Sequence, residues 1–218
     1  MHLAEIWRYP VKSMAGEQLQ EARLGRDGVE GDRLVQVRIG DLDSEEGERI
    51  VTARSRPKLL GHRAALGPDG EPLVDGRPWR AASVATDIER AAGAGARLEL
   101  SDDVQLRYDI LPLLVATDGA IDSLGLDRRR FRPNLLIGGV QGLAERDWQG
   151  RRLRIGEVVV ALADLRGRCV MTTFDPDTLE QDPKVLRTIV QRLGGVLGLN
   201  AEVARAGVVR VGDPVELL

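Results

Sequence analysis

The chain has 218 residues, of which 43% are hydrophobic and 30% charged, the balance of a globular protein rather than of a disordered or fibrous one. Its net charge is only -3, and 31 basic residues are scattered among 34 acidic ones, which argues against a nucleic-acid partner. Met1 leads almost directly into a strand-like segment, and no stretch approaches the run of about 18 apolar residues that spans a membrane, so the expectation is a soluble, cytoplasmic protein.

In chain order, residues 3–9 read as a strand broken at Pro10, which leaves Lys12 and Ser13 at a strand end. Further short strands are expected at 34–39, 50–53 and 59–66, separated by turns such as Gly25-Arg26-Asp27-Gly28. The acidic stretch 40–49 reads as a solvated loop. A hairpin from Asp69-Gly70 through Asp75-Gly76 to Trp79 precedes a short helix over 83–92, with Ser83 as its candidate cap. The boundary between two closely packed parts is placed here, giving units 1–82 and 83–218. Strands are then expected at 97–100, 113–117, 135–137, 152–155 and 158–163, with a polar connection over 118–130. One helix is well marked, with Asp182 as N-cap, Pro183 at its first position, Val185, Leu186, Ile189, Val190 and Leu193 as an apolar stripe, and Gly194 as its stop. Segments 208–211 and 215–217, around Gly212-Asp213-Pro214, read as a closing strand pair. The pattern predicts a mainly β (α+β) protein, with short strands arranged as a sheet or barrel and a few short helices.

Cys169 is the sole cysteine, which excludes an internal disulfide framework and any zinc or iron-sulfur site held by several thiolates of this chain. With His2 and His62 as the only histidines, redox chemistry here requires an added cofactor. The preceding Arg168 favours a thiolate, the form that ligates a soft metal; a lone cysteine equally packs as a small apolar residue. Arg128-Arg129-Arg130-Phe131-Arg132-Pro133-Asn134 reads either as a solvated turn or as an anion and hydrogen-bond site. Lys12-Ser13 and Gly31-Asp32-Arg33 are surface features individually; brought together they offer a point charge, a hydroxyl and a guanidinium fork to one anion. The stretch Glu145-Arg146-Asp147-Trp148 is expected to be a turn that buries Trp148. Neither a Ser/His/Asp arrangement nor a Gly-rich phosphate loop is present.

Taken in order, Tyr9-Pro10-Val11-Lys12-Ser13, Gly31-Asp32-Arg33, Val51-Thr52-Ala53-Arg54, Arg130-Phe131-Arg132-Pro133-Asn134, Glu145-x-Asp147-Trp148, Arg168-Cys169-x-x-Thr172-Thr173-x-Asp175-Pro176 and Val211-Gly212-Asp213-Pro214-Val215 resemble the signature of the MOSC family. The branch it is similar to carries an N-terminal β-barrel domain and includes the mitochondrial amidoxime-reducing component and its bacterial relatives. The resemblance implies an N-terminal β-barrel part packed on a MOSC β-barrel, with a molybdenum-molybdopterin cofactor between them. It implies Cys169 as catalytic residue and molybdenum ligand, and Lys12, Ser13 and Arg33 at the terminal phosphate of the cofactor. It also implies Arg132, Asn134 and Arg168 against the pterin, and Thr117 and Asp118 in the segment that lines it. The implied activity is reduction of small N-hydroxylated compounds by oxygen-atom removal, with electrons from a separate flavin or iron-sulfur protein, because the chain ends at Leu218 without a cluster domain. The alternative is a cofactor carrier or sulfur-transfer module without catalysis of its own. At family level the resemblance also carries pyridoxal phosphate binding.

Overall fold

The computed structural model describes residues 1–40, 47–101 and 103–218; most of the acidic stretch lies outside them. The first strands are β1 (His2–Arg8), β2 (Glu17–Leu19), β3 (Glu21–Gly25), β4 (Gly28–Val29), β5 (Val35–Ile39) and β6 (Arg49–Val51). They are followed by β7 (Ala64–Leu66), β8 (Pro72–Val74), β9 (Arg77–Pro78), helix α1 (Ala82–Ala92), β10 (Arg97–Leu100) and the short α2 (Val104–Arg107). The rest comprises β11 (Leu113–Thr117), α3 (Asp118–Asp122), β12 (Leu135–Gly138), β13 (Arg152–Ile155), β14 (Val158–Gly167), α4 (Pro183–Leu193), β15 (Val196–Arg205), β16 (Gly207–Arg210) and β17 (Val215–Leu217). No helix among the described residues is long and apolar enough to cross a membrane.

One eight-stranded sheet, in the order β17-β13-β14-β15-β11-β12-β1-β2, forms the frame. Only the β11–β12 pair is parallel; its crossover runs through α3. Among the described residues no ladder closes this sheet into the expected barrel. The β17 end approaches β1, the strand next to the other end, where His2 bridges Pro214 and the Val215 N–H donates to the Met1 carbonyl at 3.0 Å. Strand β12 is Leu135-Leu136-Ile137-Gly138, buried throughout, because both faces of the sheet are covered there. Leu135 and Ile137 join a large core with Leu3, Ile6, Val115, Leu153 and Trp148. Leu136 points the other way, into a second core with Phe131, Ile121 and the Val185, Ile189 and Leu193 stripe of α4. Asp182 caps α4 by accepting from the Lys184 N–H at 2.9 Å, and Gly194 ends it in the left-handed conformation at φ 67°. Val190, read as part of the packed stripe, is 53% exposed.

A third core belongs to the smaller sheets and α1, with Val11, Val35, Val37, Ala64, Val74, Val84, Ile88 and Ala96. The first 100 residues are not separate from the large sheet, since β1 runs through it and β3 pairs with β16 near the C-terminus.

The structure corrects several expectations. Segments 208–211 and 215–217 do not pair with each other: β16 joins β3 and β17 joins β13. Residues 59–66 are split between a 3-10 turn at Pro57–Gly61, started by its proline, and β7. Ser83 lies inside the first turn of α1, whose cap position is Ala81 with no side-chain bond. Glu48, read as solvated, has only 5% of its side chain exposed and pairs with both Arg38 and Arg97. The ten-residue β15 escapes a strand reading because Gly198, Asn200 and Ala201 break its β-propensity, while full burial there removes any polar alternation.

Candidate functional site

The turn after β1 is stitched to the segment before β5. The Lys12 N–H donates to the Val35 carbonyl at 2.8 Å, and the Arg33 N–H donates to the Tyr9 carbonyl at 2.8 Å. This pairing brings Lys12, Ser13 and Arg33 together across twenty residues of sequence. The Ser13 hydroxyl then accepts from the Ala53 N–H at 3.0 Å, which fixes the start of Thr52-Ala53-Arg54 beside it.

On the other side, the segment leading into β12 supplies Arg132 and Asn134, and the end of β14 and the residues just after it supply Arg166, Arg168 and Cys169. Together these groups line one cleft that opens to solvent. The cleft gathers seven of the sequence-derived site residues: Lys12, Ser13, Arg33, Arg132, Asn134, Arg168 and Cys169. Thr117 and Asp118 are not in its lining. The Thr117 hydroxyl caps α3 by accepting from Ala120 at 3.2 Å, and the Asp118 carboxylate accepts from the N–H groups of Gly119, Gly139 and Val140.

Three of the lining residues that are not glycine, Ser13, Arg33 and Arg132, hold left-handed backbone conformations at φ 76°, 52° and 55°. Such conformations cost about 1–3 kcal/mol each and persist where surrounding bonds impose them. Here they direct three polar side chains into one space.

The charge of the cleft is one-sided. Its lining holds Lys12, Arg33, Arg54, Arg130, Arg132, Arg166 and Arg168 against a single carboxylate, Asp109. Asp109 faces Lys12 at 3.3 Å, Arg54 at 2.6 Å and Arg166 at 3.3 Å. Burial pushes its carboxyl up, but these three cations together hold it below the usual range. Burial also holds Lys12, Arg132 and Arg166 below their ordinary values, and brings Arg168 down to about 10. Cations desolvated in this way gain from any anion that enters.

Aromatic rings hold several of them. Arg132 lies 4.2 Å from the centroid of the Tyr9 ring, and Arg33 lies 5.4 Å from Tyr9 and 5.7 Å from Tyr108. Asp32 is buried beneath, paired with Arg33 and accepting from the Tyr9 N–H at 2.6 Å and from Asn134 Nδ2 at 3.2 Å. Burial pushes the Asp32 carboxyl up against the pull of Arg33 and these donors. Asn134 also donates to the Trp7 carbonyl and accepts from the Leu114 N–H, so its side chain is committed to holding the site together.

Cys169 is partly buried and extended, one residue beyond Arg168, and its carbonyl accepts from the Thr172 hydroxyl at 2.8 Å. Arg168 donates to the Phe131 carbonyl at 2.7 Å, and its Nε is the one buried side-chain polar atom among the described residues without a hydrogen-bond partner. Behind it, Glu145 accepts from Thr117 N at 3.0 Å and Gly198 N at 2.7 Å, while Trp148 is buried as expected. Sequence reasoning quoted Arg54 in a motif without giving it a role, and missed Tyr108, Asp109 and Arg166. For Arg166 a signal existed, since a strand places residues 166 and 168 on one face.

No group of three His, Cys, Asp or Glu able to hold a metal occurs among the described residues. The cleft is therefore a cation-lined cavity with one thiol in its wall. Residues 1–99 match the MOSC N-terminal beta barrel domain, and residues 115–216 match the MOSC domain. The chain belongs to the MOSC family, in the form that carries the N-terminal beta barrel domain. It is 27% identical to human mitochondrial amidoxime reducing component 2 and 26% identical to the same component from Macaca fascicularis, each over 98% of this chain and 82% of the relative. It is 26% identical to human mitochondrial amidoxime-reducing component 1, over 99% of this chain and 82% of the relative. In fold it is similar to the crystal structure of the YUAD protein from Bacillus subtilis, with a TM-score of 0.53 at 12% identity, covering 99% of this chain and 94% of that one.

Proposed function

We propose that this protein holds a molybdenum-pterin cofactor in the cleft and reduces small N-hydroxylated compounds, with electrons from a separate flavin or iron-sulfur protein. The observation that carries the reading is the convergence of desolvated cations and the only thiol on one cavity. The donor set fits, because Cys169 would supply one thiolate to a metal that arrives bound to its pterin, where the described residues offer no group able to hold a metal alone. Lys12, the Ser13 hydroxyl and Arg33 suit a terminal phosphate as point charge, donor and fork. Arg132, over the Tyr9 ring, and Arg168, with its unpaired Nε, suit the polar edge of a pterin. Asn134 acts through Asp32, holding Arg33 in place.

When bound, such a group supplies two-electron chemistry that removes an oxygen atom from nitrogen; the chain supplies placement, charge and partial exclusion of water. The names of the amidoxime-reducing relatives support this substrate class. The test is turnover of an amidoxime or hydroxylaminopurine by fully loaded protein reduced with dithionite or viologen. Reduction to the amidine or aminopurine is the expected result. Full loading without turnover would overturn the enzyme and leave the carrier.

A further inference from the structure

A second cavity, also open to solvent, lies on the far side of Arg130, Arg132 and Met171, which line both. Its apolar surface is built from partly buried rings and chains: Trp7, Phe174, Leu60 and Met171. Trp7 stacks on Tyr9 at 6.4 Å between centroids, with an interplanar angle of 15°, so its plane is set by a neighbour that is itself locked. Tyr9 donates to the Pro133 carbonyl at 3.1 Å.

The charge is again one-sided. Arg63, Arg129, Arg130 and Arg132 line the cavity against Asp177. Arg129 is taken by Asp127 and Asp177, and Arg130 by Asp175. Arg132 meets the Tyr9 ring but no carboxylate or hydrogen-bond acceptor among the described residues. Arg63 is exposed at the mouth, and its side chain has no ion-pair partner among them either.

We propose that this cavity binds a flat aromatic compound carrying an anionic group, its ring against Trp7 and Phe174 and its charge toward Arg132 and Arg63. Flat rings gain most from preformed aromatic walls, and an anion gains from guanidiniums that no carboxylate neutralises, Arg63 at the mouth and Arg132, which this cavity shares with the cleft. Met171 stands two residues after Cys169 in the wall shared by the two cavities, so the occupant lies next to the thiol-bearing cleft. In that position it is the body of the substrate, a statement that rests on the reductase reading; the binding itself does not.

The experiment is calorimetry on the full chain with 1-naphthoate, 1-naphthalenemethanol and 1-naphthylmethylammonium. The expected order of affinity is anion, then neutral, then cation, with about fivefold between the first two. Phe174→Ala weakens the anion and the alcohol alike by about fivefold, and Phe174→Leu, which keeps apolar volume without the ring, falls between. Arg63→Gln lowers only the affinity for naphthoate, by about threefold. Lack of saturable binding up to about 5 mM, a range that reaches weak millimolar ligands, overturns the proposal. So does naphthoate binding unchanged by Phe174→Ala. Turnover of an amidoxime by protein that binds no naphthoate leaves the reductase standing without this pocket. Naphthoate binding by loaded protein that turns nothing over leaves the pocket standing without the enzyme.

Discussion

Asn134 Nδ2 donates to the Asp32 carboxylate across 3.2 Å, joining two motifs that stand 102 residues apart. Through this bond the start of β12 supports Arg33, which Asp32 holds by an ion pair. Both side chains are almost wholly buried, so each is costly to leave unpaired.

Asn134→Ala strands the Leu114 N–H, the Trp7 carbonyl and one acceptor position of Asp32. The expected loss of stability is about 2–4 kcal/mol, the range for breaking a buried polar network. Denaturant unfolding with an unchanged slope measures it.

Tyr9 and Tyr108 are the only tyrosines, and burial raises both, Tyr108 to about 12 and Tyr9 well above its ordinary value. A phenol raised in the fold contributes stability that is present below its unfolded value of about 10 and is lost as pH rises toward the folded value. Absorbance of the native protein should therefore show little tyrosinate at pH 10.5, about half a unit above the unfolded value. Addition of denaturant at that pH should release it. A native titration centred near 10 would mean that the rings supporting Arg33 and Arg132 are open to water.

Asp109 is held below the usual carboxylate range by Lys12, Arg54 and Arg166, against the opposing effect of burial. Its stabilisation is therefore present above about pH 4, the unfolded value, and lost as pH falls through the lower folded value. Asp109→Asn should cost about 1 kcal/mol near neutrality, since the carboxylate is about a third exposed and screened. The difference from wild type should close at the acid end of a stability-pH curve.

Much of the site is legible in the chain as short motifs at strand ends, because Lys12, Arg132 and Cys169 each follow or precede a recognisable strand. Their convergence is not legible locally. It depends on the Tyr9–Arg33 and Lys12–Val35 backbone bonds, which close long loops in sequence. Asp109 and Tyr108 follow the short α2 in a segment with no periodic pattern, so nothing nearby marks them as facing cations. The fold is clearer where periodicity and caps agree, as in α4. It is obscure in the first half of β15, where burial of both faces over 197–201 erases alternation. Thr117 shows the opposite case: it sits at the end of an expected strand, yet its hydroxyl is committed to capping α3.

Gly16 packs on the ring that carries Arg132. A Cβ at this position would lie 2.3 Å from the Arg8 carbonyl oxygen and 2.5 Å from Tyr9 Cδ1. Gly16→Ala must shift the ring or the β1–β2 turn, at a cost of about 1–3 kcal/mol. The expected signature is a lower unfolding midpoint together with weaker retention of the cofactor, whereas Gly25→Ala, at a position with open space and no left-handed backbone, should affect neither.

The central claim is that the cations and the thiol of one cleft hold a molybdenum-pterin group. It is tested most directly by molybdenum content from elemental mass spectrometry, with pterin fluorescence after oxidation, on wild type and Cys169→Ala from a cofactor-competent host. The account predicts near-stoichiometric metal and pterin in the wild type, and pterin with much less metal in the variant. Metal and pterin absent from both, or metal undiminished in Cys169→Ala, would contradict it.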